Sequence, residues 1–289
     1  MPEKSVPIHV VTWNVARRNA DVLDALKKAS DRVGKIDLVT LQEVRTDVAD
    51  VFRKYLVQEM DLRYVHYDRR LDVPCQNHIN VIAGRWPLRA VGLRYTRKEL
   101  PWPQALTEVW LKVGTHTVVL ITAHIPNGSQ YGWQKIYTFE VLNRIVGKAR
   151  GRPCIVTGDF NEPQDVMRDG RIATFGQKWD ARQRRYVCWP TWTDPSGRTG
   201  RGLRWDGAVR WLFEDEREHG LRLAYREAGG HPAKAFSHKN HSQRRWFDHI
   251  FFSRKLFRVN ECRYLHELRH PGLSDHSALR ARLTLGASS

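Results

Sequence analysis

Two stretches of the chain follow the same order, a β-branched run, then an amphipathic helix, then a second apolar run. That order constrains the fold more than any other feature. Residues 8–15 (IHVVTWNV) read as a strand. Residues 20–34 place Val22, Leu23, Leu26 and Ala29 at helical spacing and stop at Gly34, and residues 36–43 (IDLVTLQE) read as a strand again. The order recurs as strand 117–125, helix 133–149 with Ile136, Phe139, Leu142 and Ile145 in helical register, and strand 153–160. Each unit would supply one sheet of a layered α/β sandwich with its helices outside. A helix over 47–60 and strands over 79–84, 106–113, 248–253 and 278–285 add to this frame. Residues 162–245 are less regular. They carry Trp179, Trp189, Trp192, Trp205 and Trp211, many arginines, and turn signals at Pro195-Ser196-Gly197 and Gly200-Arg201-Gly202. They read as a long decorated connection within one domain spanning 1–289.

The polar residues that interrupt these apolar runs carry the chemistry. Asn14 ends the first strand, and Gln42 and Glu43 end the second. His124 and Asn127 follow the strand of the second unit, Asp159 and Asn161 follow its partner, Asp248 and His249 open a late strand, and Asp275 and His276 precede the last. Side chains at strand ends lie at the rim of a sheet, where loops from several strands converge on one pocket. The carboxylates Glu43, Asp159, Asp248 and Asp275 gathered there would repel one another without a cation or a proton. An oxygen-rich site with no cysteine favours magnesium, or manganese, over zinc. Singly, each residue has an ordinary reading as a cap, a turn or a hydrogen-bonded histidine, and the argument rests on their joint order. Asp206 reads as a turn residue, and His238 and His241 as loop histidines near the presumed pocket.

Charge narrows the partner. Lys and Arg number 48 against 31 Asp and Glu, a formal charge of +17, which draws polyanions by counterion release. Nucleic acid leads, with DNA favoured, and an anionic membrane surface comes second. Arginines cluster at Arg182, Arg184 and Arg185, at Arg198, Arg201 and Arg204, and at Arg244 and Arg245. Arginine suits bidentate phosphate contacts. Arg245 and Phe247, just ahead of Asp248, are expected to touch substrate, and Phe236 and Phe247 to line a pocket for an extruded nucleotide or sugar. The four cysteines, Cys75, Cys154, Cys188 and Cys262, form no CxxC pair, which argues against a disulfide framework or a zinc cassette. A reducing, cytoplasmic setting fits, no run is long enough to span a bilayer, and no protein partner is legible.

The blocks Thr12-Trp13-Asn14-Val15, Leu41-Gln42-Glu43, Ala123-His124-Ile125-Pro126-Asn127-Gly128, Gly158-Asp159-Phe160-Asn161, Phe247-Asp248-His249-Ile250-Phe251 and Ser274-Asp275-His276-Ser277 stand in one order along the chain. Together they resemble the endonuclease/exonuclease/phosphatase superfamily. The resemblance implies a four-layered α/β/β/α sandwich of two packed mixed sheets and magnesium-dependent phosphoester hydrolysis. It implies that Glu43 is the principal metal ligand with Asn14 and Asp275 nearby, and that Asp159 orients or deprotonates the attacking water beside Asn161. It implies further that Asp248 and His276 pair to bind and polarise the phosphate, and that His124 and Asn127 meet phosphate oxygens. Ala16 stands where the abasic-site branch carries Asp, and His124 where that branch has Tyr. Both departures weaken an abasic-site assignment. A nuclease is the leading expectation. A phosphatase or phospholipase-type hydrolase of a small or lipid phosphate is the alternative, followed by a catalytically dead binding protein.

Overall fold

The computed structural model describes residues 5–19, 21–68, 77–92, 95–96, 98–128, 131–193, 197–240 and 243–286. Cys75, Pro195, Ser196 and His241 lie outside the described residues. The first half runs β1 (Val6–Asn14), α1 (Val22–Val33), β2 (Leu38–Arg45), α2 (Ala49–Gln58), β3 (Tyr64–His66), β4 (His78–Gly84), β5 (Leu88–Val91), β6 (Leu106–Val113), β7 (His116–His124), α3 (Gly132–Lys148) and β8 (Cys154–Asp159). After a run of short hairpins come α4 (Gly202–Phe213), β9 (Leu221–Leu223), β10 (Asp248–Ser253), β11 (Phe257–Leu265) and β12 (Ala278–Leu285).

The strands form two six-stranded sheets, ordered β11-β12-β1-β2-β4-β3 and β9-β10-β8-β7-β6-β5. Each sheet has one parallel pair. In the first, β1 and β2 run together from Val10↔Leu38 to Asn14↔Gln42, and in the second β7 and β8 run from Val119↔Cys154 to His124↔Asp159. These are the two strand–helix–strand units of the sequence, because a parallel pair needs a crossover and α1 and α3 provide it. Residues alternate between the two faces of each strand. Val10, Leu38 and Ile82 meet Leu120, Ile155 and Ile250 between the sheets. Their neighbours Val11, Val39 and Leu41 turn outward to Leu23, Leu26 and Phe52 of α1 and α2. On the far side Ile121 and Val156 pack against Phe139, Leu142, Val209 and Leu212 of α3 and α4. The result is helix, sheet, sheet, helix, as expected. Burial on both faces also explains why these strands read as apolar runs with little alternation.

The inter-sheet core is polar at one point. Thr40 Oγ1 lies 2.8 Å from Thr157 Oγ1, and the Gln42 amide donates to Thr122 Oγ1 at 3.0 Å and to Thr12 Oγ1 at 3.1 Å, all fully buried. These bonds tie the first sheet to the second close to the strand ends.

The segment 162–245 is more ordered than its sequence suggests. It contributes β9 to the edge of the second sheet and α4 to the outer layer. Gly202 and Gly207 hid α4, since glycine reads as a breaker. Gly202 instead opens the helix, and Asp206, expected in a turn, lies within it and accepts from Arg210 at 2.9 Å and from Thr174 at 2.9 Å. The tryptophans divide between the core and the surface. Trp205 is buried, and Trp179 and Trp189 are exposed. Trp192 and Trp205 pack so closely on the loop before α3 that a Cβ at Gly132 or Gly128 would sit 2.6 or 2.5 Å from their rings. They therefore brace the loop that carries Asn127. Among the described residues no helix is long and apolar enough to cross a membrane.

Candidate active site

Strand direction brings the polar residues together. The parallel pairs place Asn14 and Gln42 at one end of the first sheet, and His124 and Asp159 at one end of the second. Strand β10 runs antiparallel to β8, so its first residue, Asp248, pairs with the last residue of β8, Asp159. Glu43 sits in a register shift between Leu41 and Val44 against β4, with φ +56°. A bulge of this kind re-aims a side chain, here held in a backbone region costly for a non-glycine residue.

These ends open on a cleft of about 560 Å³ lined by Glu43, His124, Asn127, Asp159, Asn161, Asp275 and His276. Arg17, Asn77, His78, Trp102, Pro126, Tyr131 and His238 complete its walls. Asn14 and Asp248 lie buried beneath the floor. The structure therefore gathers nine of the residues the sequence singled out. Arg245 and Phe247 fall outside the cleft lining. The Arg245 guanidinium donates to the Gln164 carbonyl at 2.6 Å, and Phe247 is buried behind the His238 ring, 5.6 Å away between centroids. Both are engaged in packing here, where the sequence led to an expectation of substrate contacts. Phe236 likewise faces protein groups and does not line the cleft.

A chain of carboxylates linked by one imidazole runs across the floor. His276 Nδ1 lies 2.7 Å from Asp248 Oδ2, and its Nε2 points at Asp159 Oδ2, 3.7 Å away, and Asp275 Oδ1, 4.0 Å away. The Asp248 backbone N–H donates to Ser237 Oγ, and its Oδ1 is buried with no hydrogen-bond partner among the described residues. Asp159 accepts from Asn14 Nδ2 at 2.9 Å and from the Asn161 N–H at 2.9 Å. Asn14 also donates to Glu43 Oε1 at 3.3 Å, while its own oxygen accepts from the Ala16 N–H at 2.9 Å. Asn14 thus presents N–H groups to the two carboxylates, and its oxygen is taken. In this arrangement Asn14 positions Glu43 and Asp159.

Charge in the cleft is set by close pairs. Burial alone would depress the His276 imidazole, but the Asp248 and Asp159 carboxylates outweigh it and push its pKa up to about 10. Burial would raise Glu43, yet the hydrogen bond and charge of His124, with His78 and Arg17, hold it well below the usual carboxylate range. His124 Nε2 lies 3.3 Å from Glu43 Oε1, and the Arg17 Nε donates to Oε2 at 3.1 Å. Asp159 is raised, first by burial and then by the neighbouring Asp248, against the pull of His276 and His124. Asp275 is lowered by its bond from His238 Nε2 at 3.4 Å. Burial lowers His78 to about 4, so that ring is neutral.

His78 and His238 were the histidines the sequence undersold. His78 heads β4, and β4 is antiparallel to β2, so its first residue stands at the same rim as Glu43. Counting the first residues of antiparallel strands would have found it, as it found Asp248. His238 reaches the cleft through a bridge between its backbone and that of His276. Among the described residues, two acid–imidazole groups have donor atoms within 4.8 Å of one another, namely Asp159 with Asp248 and His276, and His238 with Asp275 and His276. Such groups have the composition to hold a divalent cation.

The model of the Endonuclease/Exonuclease/phosphatase family matches residues 11–276. The chain belongs to that family. Its members are phosphodiesterase and nuclease hydrolases, generally dependent on a divalent metal, and that is the enzyme class of this chain. No curated protein matches it by sequence. Among solved structures, TDP2 of D. rerio complexed with single strand DNA product is similar at 14% identity and TM-score 0.63, over 96% of this chain and 98% of that one. An AP endonuclease from Archaeoglobus fulgidus is similar at 17% identity and TM-score 0.59, over 95% and 98%. A 3′ phosphatase from Neisseria bound to a product DNA hairpin is similar at 18% identity and TM-score 0.59, also over 95% and 98%. At these identities the likeness is one of fold, and it agrees with the family's sandwich.

Proposed function

We propose that this family member is a magnesium-dependent phosphodiesterase that cuts nucleic acid, with DNA the favoured substrate. The observation that carries the proposal is the arrangement in which Asp248 holds His276 at 2.7 Å and His276 faces Asp159 at 3.7 Å across one cleft. Asp159, with its carboxyl raised and its second oxygen fixed by Asn14, orients the water and takes its proton as the water oxygen attacks phosphorus. His276, charged at neutral pH, donates from Nε2 to a non-bridging phosphate oxygen, and Asp248 fixes the ring and its charge. His124, the strand partner of Asp159, and Asn127 in the cleft lining would bind the remaining phosphate oxygens. The carboxylates of Glu43 and Asp275 have the hard oxygens that suit magnesium or manganese, and among the described residues the buried Asp248 Oδ1 has no hydrogen-bond partner. When bound, that cation would supply neutralisation of charge on the phosphate and leaving oxygens.

The substrate class rests on charge and kinship. A surplus of +17 favours polyanions, and the similar structures of TDP2 and the Neisseria 3′ phosphatase were solved with DNA products. One panel tests the reading, using plasmid, single-stranded DNA, abasic duplex, RNA and phosphorylated small molecules with magnesium or EDTA. Metal-dependent cleavage of a polynucleotide is expected. His276→Gln should lower kcat by about 10²–10⁴-fold, and Glu43→Ala should abolish metal-dependent turnover. Turnover near wild type in either variant would sink the assignment. Hydrolysis confined to small phosphates, insensitive to salt, would favour the phosphatase reading.

A further inference from the structure

Phe236 lies beside the cleft, two residues ahead of His238, and positive charge surrounds its ring. The Arg244 guanidinium carbon stands 4.7 Å from the ring centroid and that of Arg269 stands 4.9 Å from it. His266 stacks on the same ring at 4.6 Å with the planes 13° apart. With both arginines that close to one point, their guanidiniums lie within about 10 Å of each other. Neither pairs with a carboxylate among the described residues. Arg269 donates its Nε to Ser277 Oγ at 3.2 Å, and the Arg244 side chain is exposed. The two cations feel each other, because burial lowers Arg269 and the charge of Arg244 lowers it further. Attraction to the ring face holds the arginines in place, but it leaves their charge uncompensated.

This cluster is joined to the floor of the active site. Ser277, which follows His276, accepts from Arg269 and lies 2.9 Å from His266 Nδ1, and its N–H donates to the Ser237 carbonyl at 2.7 Å. The Lys239 N–H donates to the Asp275 carbonyl at 3.3 Å. Ser277 follows His276 directly, so the guanidinium that meets its hydroxyl stands next to the cleft on the same stretch of chain.

We propose that Arg244 and Arg269, braced on Phe236, form a second phosphate subsite for the neighbouring backbone phosphate of a strand whose scissile bond lies at His276. This inference rests on the phosphodiesterase reading of the cleft and adds to it a preference for polynucleotides over isolated phosphate esters. Guanidinium forks suit phosphate oxygens. Because Phe236 carries the arginines and His266, it serves as their scaffold and not as a platform for a base.

The test separates binding from turnover. Binding of a labelled single-stranded DNA of about 12 nucleotides is followed by fluorescence anisotropy in EDTA at several salt concentrations. The proteins compared are wild type, Arg244→Ala, Arg269→Ala and the double variant. Hydrolysis of bis(4-nitrophenyl) phosphate with magnesium is measured beside it. The double variant should bind at least about tenfold more weakly, and the slope of log Kd against log salt should fall by about one per arginine removed. Small-diester turnover should stay at the wild-type rate in Arg244→Ala. Unchanged affinity and slope in Arg244→Ala, an exposed side chain the fold does not need, overturn the proposal, as does loss of small-diester turnover in step with DNA binding. A wild type that binds DNA through this pair yet hydrolyses no phosphodiester leaves the subsite standing and removes the reading of the cleft.

Discussion

Replacing Lys135 by Met should destabilise the protein by about 3–5 kcal/mol, because it leaves one partner of a buried ion pair uncompensated. Lys135 and Glu162 are both fully buried, with Nζ 3.0 Å from Oε1. At that distance the attraction is about 5 kcal/mol for an effective dielectric of about 20, against a desolvation cost of several kcal/mol for each ion. The pair alone therefore comes close to balance, and its surroundings decide the outcome. The ammonium also donates to the Asn161 carbonyl at 2.6 Å and lies 4.7 Å and 5.4 Å from the Phe175 and Trp205 ring centroids. Glu162 accepts from the Trp205 indole at 2.8 Å and from the Phe175 N–H at 3.2 Å. Lys135→Met keeps most of the volume and strands the carboxylate, and Glu162→Gln strands the ammonium. The double change Lys135→Met/Glu162→Gln strands neither charge, keeps an acceptor for Trp205, and should recover most of the loss, giving a coupling energy above about 1 kcal/mol. Urea unfolding followed by tryptophan fluorescence reads all four proteins. Single variants within about 0.5 kcal/mol of wild type, or losses that simply add in the double, would refute the reasoning. Since Lys135 also holds the carbonyl of Asn161, kcat should stay low in the double variant even where stability returns.

Gly158→Ala should prevent folding or cost more than about 4 kcal/mol, because Gly158 has φ +135° and an added Cβ would lie 1.9 Å from the Ala123 carbonyl oxygen; soluble yield and circular dichroism check it, and a cooperative melt near wild type would contradict it. Burial holds His249 down to about 4, so the fold keeps it neutral while the unfolded chain takes up a proton below about 6.5. Its contribution is therefore complete above about pH 6.5 and is lost as pH falls towards 4, by up to roughly 3 kcal/mol. Urea midpoints at pH 7 and pH 4.5 should show this loss, and His249→Gln should flatten it.

The strand ends were legible because a polar residue closing an apolar run has few structural reasons to be there. Glu43, His124, Asp159, Asp248 and His276 were found in that way, and all five lie at one rim. The contact partners of Arg245 and Phe247 were not legible, since an arginine beside an active-site aspartate reads as a substrate contact until Gln164 is seen to occupy it. Lys135 was equally hidden. A lysine in an amphipathic helix reads as solvated, and only the fold reveals the carboxylate and carbonyl it meets. The direction of the Asn14 amide depends on the Ala16 N–H, whose left-handed backbone (φ +49°) no periodicity announces.

The buried threonines and glutamine between the sheets act as a gauge. Asn14 and Glu43 belong to one sheet, and His124, Asp159 and Asp248 to the other, so the chemistry depends on how far apart two separate slabs are held. Apolar contacts alone are non-directional and would let the slabs slide by fractions of an ångström at small cost. The bonds of Thr40 to Thr157 and of Gln42 to Thr122 have preferred lengths and angles and oppose such drift. Variation that tunes substrate choice therefore has freedom at the rim and in the loops, whereas a methyl-for-hydroxyl exchange in this gauge would detune every catalytic distance at once without touching a reacting atom.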